Sequence, residues 1–249
     1  MTPTSEALMI MANTHDRFTR ADAQLALRLI AAGSDQAHAE AEVTLREQGI
    51  DALLDDPRLL TGLMRAGQGA HASLALFAYV LVRHALRGAG EGDRVLADYV
   101  AAVLLHFSRA VRTTRVAEHD DEIYTTLTGL LAAVDSSDAQ RSFLVRAHLG
   151  NYALWVSGIF PDWIEHRRWR RGGPDLAYYE EMGRRGFQLA AAHRLAGDLT
   201  PVFASAADRF PRLRQALNSI SDQVLFPHHQ TAEKLIRQVE DEARWKENC

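Results

Sequence analysis

Cysteine is almost missing from this chain. One occurs among 249 residues, and it is the last, Cys249. No disulfide can close within a single copy, and zinc sites built on cysteine pairs are excluded. A surplus of positive charge is missing too. The formal net charge is -4, so no global basic field recruits nucleic acid, and sequence-specific nucleic-acid binding is not expected. Long apolar runs are absent as well: the strongest, Ala72 to Val82, is about half the roughly 20 residues a membrane span needs. It reads as a core helix, and no membrane span is expected. The first 20 residues lack the basic start and apolar run of a signal peptide, so a reducing cytoplasm is the expected compartment.

The standard catalytic signatures are absent. There is no Gly-x-Ser-x-Gly elbow and no Walker-type phosphate loop, and no Gly-x-Gly-x-x-Gly follows a strand. The glycines of "RGAGEG", 87–92, lack a lysine and a preceding strand, so they read as an interhelical turn. A carboxylate-bridged dimetal bundle needs Glu-x-x-His pairs, and none occurs. The nearest forms are His119 with Glu122 and His229 with Glu233, at expected helix starts where solvated acids are common. No metal and no cofactor are expected.

Helices are what the sequence does contain. Thr19 with Asp22 three residues on resembles a capping box. Ser34 and Gly49 bracket a second segment, and Asp56 with Pro57 makes a cap followed by a first-position proline. Two strongly apolar helices follow, over 70–87 and 92–112, the second with Leu96, Val100, Val103 and Phe107 on one stripe. A helix with acids at its start is expected over 119–135, and another over 138–160 capped by Ser136, Ser137 or Asp138. Gly172-Gly173-Pro174 should stop the next helix and Asp175 cap the one after it. Thr200-Pro201 should start one more, with a break or restart at Pro211, and Pro227 precedes a final charged helix. No period-2 strand, no tandem repeat and no linker interrupts this pattern. The fold class expected is all-α, a single-domain bundle of roughly nine or ten helices over 17–249, behind a loosely ordered 1–16. A chain of this length buries roughly 70–75% of its unfolded surface and needs no staple.

Four stretches carry a resemblance: "LLDDPRLLTGL" (53–63), "ASLALFAYVLVRHAL" (72–86), "DRVLADYVAAVLLHF" (93–107) and "HLGNYALWVSGIFPDW" (148–163) with "YYEEMG" (178–183). Together they resemble a group of uncharacterised, all-helical bacterial proteins. The resemblance spans most of the chain and implies a helical fold, with no activity and no site residue to carry over.

Two groups of residues are candidate sites. In the first, His148, Asn151 and Trp155 fall at i, i+3 and i+7 and share a helix face. His106 lies deep in an apolar helix with Asp98 eight residues earlier on roughly the same side, and His84 ends the other apolar helix. A buried polar group left unbonded costs about 1–3 kcal/mol, so His148 and Asn151 should meet polar groups of another helix, with His106 or Glu180 as first partners. Tyr179 shares a face with Gly183 and Gly186. Either those glycines permit close helix packing, or they leave room for a ligand beside Tyr179. The group is either a set of satisfied core residues or a small-molecule pocket around His106, His148 and Asn151.

The second group is "WIEHRRWRRGGP", 163–174, with Trp163, Arg167, Arg168, Trp169, Arg170 and Arg171. Cations at a helix C-terminus are favoured by the macrodipole, which gives these arginines a structural role. Arginine also grips anions in bidentate fashion and stacks on aromatics, so the stretch reads equally as an anion- or partner-binding surface, which Arg184 and Arg185 could extend. The tryptophans are six apart and point in different directions, with one of them expected in the core. Two functions follow. One is a non-enzymatic binding or scaffolding protein that self-associates or takes a protein partner. The other is a small-molecule-binding protein or enzyme built on the polar helix face.

Overall fold

In the computed structural model, described for residues 9–65, 67, 69–108, 129–130, 134, 138–228 and 231–247, every long element is a helix. No strand occurs among those residues. Most of the helix expected over 119–135, the His119/Glu122 pair, Ser136, Ser137, His229 and Cys249 lie outside them, as does the side chain of Glu233. The helices gather into two compact units, one over Ile10–Leu105 and one built on His106–Cys249.

The first unit holds α1 (Arg20–Ala31), α2 (Asp35–Gln48), α3 (Ile50–Leu54), α4 (Pro57–Met64), α5 (Leu74–Gly88) and most of α6 (Arg94–Phe107). The capping box of α1 is complete: Asp22 N donates to the Thr19 hydroxyl and the Thr19 N–H donates to the Asp22 carboxylate. The same carboxylate accepts from Ser73 N, at the cap of α5, which ties two helix starts together. Leu53, Leu54, Leu59, Leu76, Val80, Leu86, Val100 and Val103 form a dry core. At its edge Asp55 accepts from Arg83 at 2.7 Å and from Arg94 at 2.8 Å. Burial alone would raise the Asp55 carboxyl; the two guanidiniums outweigh it and hold it at about 2.

Two sequence expectations are corrected here. Residues 10–16 are not loose. Ile10 and Thr14 are buried, and His15–Arg17 forms a 3-10 turn. Asp98 does not lead toward His106. Its carboxylate accepts from His15 N at 2.7 Å, and its carbonyl accepts from the Thr14 hydroxyl. His84 is a satisfied boundary residue, with its Nε2 3.0 Å from the Leu54 carbonyl.

The second unit is built around α7 (Ala139–Ile159), whose residues are mostly buried. Around it lie α8 (Pro161–Arg171), α9 (Leu176–Ala191), α10 (Thr200–Asp208), α11 (Phe210–Ile220) and α12 (Ala232–Glu247), with a π-helical turn at Ser221–Leu225. Helices α7 and α9 touch backbone to backbone: a Cβ placed on Gly186 would sit 2.5 Å from Gly150 N. The room imagined beside Tyr179 is therefore filled. The Phe210 ring would lie 2.2 Å from a Cβ on Gly183, so these glycines serve close packing.

Candidate functional site

The site begins where α7 ends. The last carbonyls of a helix have no partner within it. Here α11 supplies them: Asn218 Nδ2 donates to the carbonyls of Ser157 and Gly158 at 2.8 and 2.7 Å, and the Ser221 hydroxyl donates to Ile159 O at 2.7 Å. Phe160 leaves the helical conformation, and Pro161, lacking an N–H, opens α8 at its first position. This break and the π-turn on α11 bound a cleft of about 310 Å³. Ile159, Phe160, Pro161, Trp163 and Phe226 give it an apolar wall, and Asp162, His166, Ser221 and Thr231 add polar groups. Trp163 and Phe226 are 47% and 41% exposed.

Beside the cleft lies a network of buried charge. Arg214 is 1% exposed; its guanidinium donates to Glu180, to Asn218 Oδ1 and, at 2.8 Å, to Asp241. Burial would lower its pKa, but the Asp241 and Glu180 carboxylates raise it instead. Arg237 donates to Asp162 at 3.1 Å and to Asp222 at 2.8 Å, and Lys234 lies 3.5 Å from Asp222. Helix α12 thus turns Lys234, Arg237 and Asp241 inward. It leaves Leu235, Ile236 and Val239 outside, each more than half exposed.

The tryptophan-arginine stretch is α8 itself. Gly172, at φ 63°, stops it as expected, and the N–H groups of Gly172 and Gly173 cap the carbonyls of Arg168 and Arg167. Neither tryptophan is anchored in the core, contrary to the sequence expectation: Trp169 is even more exposed than Trp163, at 68%. Ile164 and Glu165 take the inward positions in their place. The Arg167 guanidinium lies 4.7 Å from the centre of the Trp163 ring, and that of Arg168 5.6 Å from Trp169. Arg168 also reaches Glu165 at 3.4 Å. Arg170 and Arg171 are exposed and have no ion pair among the described residues.

Of the histidine-asparagine group, His106, His148 and Trp155 are brought together around the Phe107 ring. His148 and Asn151 face the interior, 7% and 4% exposed. The Phe107 ring lies 5.6 Å from His148, 5.3 Å from Trp155 and 5.1 Å from its neighbour His106, and His148 stacks on Tyr152. Trp155 continues the series to Phe160, and Phe160 to Phe226 at the cleft. Tyr179 is 8% exposed; burial raises its hydroxyl pKa, and Arg167 pulls the other way. Glu180, proposed as a partner of His148 or Asn151, is engaged by Arg214.

Sequence reasoning missed the cleft and the charges beside it. The signal was present as spacing: Arg214, Asn218, Ser221 and Asp222 recur on one face, as do Lys234, Arg237 and Asp241. A charged stripe ordinarily faces solvent, so nothing marked these as interior. Among the described residues no three His, Cys, Asp or Glu side chains are placed to share a metal ion, and no helix is long and apolar enough to cross a membrane. No protein-family model, no curated protein and no solved structure matches this chain.

Proposed function

We propose that this chain is a non-enzymatic binding protein whose partner, another protein, inserts an apolar side chain into the cleft between the α7–α8 junction and the Ser221–Leu225 turn. The observation that carries this reading is that Trp163 and Phe226, both about half in solvent, line a cleft whose interior is mostly apolar. Half-exposed aromatics around a concavity are the anchoring elements of protein interfaces, where Trp, Tyr, Phe and Arg are enriched. The Phe107 ring packs against His106 and His148, and Tyr152 stacks on His148, which favours this cleft over that helix face for a small-molecule alternative. Its volume sits at the lower end of the roughly 300–1,000 Å³ of ligand pockets, enough for one side chain or a small ligand.

A photo-crosslinking phenylalanine analogue at Thr231, on the cleft, tests the reading in cell extract. Adducts of protein mass are expected, and an adduct at twice the 27.7 kDa chain mass identifies the self-association anticipated from the sequence. Adducts of small-molecule mass alone, or the same adducts when the analogue replaces Val43, exposed on the first unit, would refute it.

A further inference from the structure

Resting on that reading of the cleft, we infer that the partner segment is acidic: an apolar anchor residue in the cleft followed within about four positions by Asp or Glu. Trp163, His166, Arg167, Arg170 and Arg171 fall at i, i+3, i+4, i+7 and i+8, so they form one stripe along α8, starting at the cleft. At about 1.5 Å per helical residue the stripe runs roughly 12 Å, the length of three to four residues of extended peptide.

Among the described residues the charge on this helix is not balanced. Its two acids are both occupied, Asp162 by Arg237 and Glu165 by Arg168. Four arginines face them, and Arg167, Arg170 and Arg171 have no carboxylate among the described residues. The Nε–H of Arg167 is shielded from water with no acceptor. The cation–π contact with Trp163 holds that guanidinium at the cleft end of the stripe, where its charge has no carboxylate partner among the described residues. Helix capping does not account for the four, because the N–H groups of Gly172 and Gly173 already satisfy the carbonyls of Arg168 and Arg167. The concave cleft at one end of the stripe favours a peptide, with one anchor and a charged tail, over a flat lipid surface.

Random 12-residue peptides are displayed against the immobilised full chain, against Trp163→Ala, and against the quadruple variant Arg167→Gln, Arg168→Gln, Arg170→Gln, Arg171→Gln, each shown to be folded by circular dichroism. The expected peptides carry an aromatic or leucine anchor with acids within four positions. The quadruple variant should keep the anchor and lose the acids. A synthetic selected peptide should bind that variant on the order of tenfold to a hundredfold more weakly, and wild type more weakly as salt rises. Anchored peptides without acids would overturn the acidic partner and leave the cleft reading standing. No enrichment over Trp163→Ala would overturn both. Binding to vesicles containing phosphatidylserine, lost in the quadruple variant, with no acidic peptide selected, would assign the arginines to a lipid surface and overturn the proposal.

Discussion

Replacing Arg214 with Met is the sharpest test of how the second unit is held together. Methionine keeps much of the aliphatic volume, so the change isolates the guanidinium. The lost group is 1% exposed and donates to Glu180, Asn218 and Asp241. Removing one partner of a buried ion pair costs about 3–5 kcal/mol, mostly because the remaining charge is left unpaired. The Glu180 and Asp241 side chains retain 16% and 19% exposure, so they rehydrate in part, and the lower end, about 3 kcal/mol, is expected. At about 2–4 °C per kcal/mol for a domain of this size, the melting temperature should fall by roughly 6–12 °C. Thermal melts followed by circular dichroism at 222 nm measure it. Adding Glu180→Gln and Asp241→Asn to Arg214→Met should recover part of the loss, since neutral amides leave no stranded charge. A loss below about 1 kcal/mol, or no recovery in the triple variant, would refute the claim that this network is a coupled, buried unit.

Acid should weaken the first unit through Asp55. Its folded pKa, about 2, lies below the ordinary carboxyl value of 3.8, so its stabilisation is complete above about pH 4 and is lost as pH falls through 2. After discounting for solvent screening this amounts to about 1–2 kcal/mol, and Asp55→Asn should flatten that part of the stability-versus-pH curve, read by urea titration at stepped pH. Gly186→Ala should destabilise by about 1–2 kcal/mol despite the better helix propensity of alanine, because its Cβ meets the α7 backbone; an unchanged melting temperature would contradict the close crossing. Val239→Lys, on the exposed face of α12, should alter stability by no more than about 0.5 kcal/mol, whereas Arg237→Ala should cost about 3 kcal/mol, and the reverse order in urea denaturation would show that α12 is inverted.

The helices were legible because their punctuation is local. Thr19 and Asp22, Asp56 and Pro57, Asp175 and Gly172 act within a few residues of themselves, and the structure places each where the spacing predicts. Close packing at Gly183 and Gly186 was one of two readings the sequence allowed, since glycine in a helix interior costs about 1 kcal/mol and needs a compensating contact, but nothing local named the helix they meet. The end of α9 is not marked in this way: the helix stops at Ala191, short of Gly197, the next glycine, which begins a 3-10 turn. The break of α3 from α2 at Gly49, with φ 81°, was read as a simple stop, because nothing local shows that the chain resumes a helix at once.

The candidate site was only half legible, and α12 shows why. Its sequence has a charged stripe and an apolar stripe, and periodicity alone cannot tell which one faces the protein. The usual reading puts Leu235, Ile236 and Val239 inside. What inverts it lies more than ten residues away in sequence. Asp222 and Asp162 present carboxylates to Arg237, and Arg214 presents a guanidinium to Asp241. Docking Leu235, Ile236 and Val239 against those groups would leave Asp222 largely buried without a counter-ion and Arg214 with Glu180 alone, at a cost of several kcal/mol, and would set apolar side chains against charge, where the about 1.5–3 kcal/mol ordinarily gained per buried apolar side chain is not realised. The charges therefore set the rotation of the helix, and the apolar stripe is left outside as a consequence. The same long-range logic hid the cleft. Phe226 gains meaning only when the π-turn carries it to the cleft that Trp163 also lines, and Trp163 stays in solvent because Ile164 and Glu165 already fill the inward positions of α8.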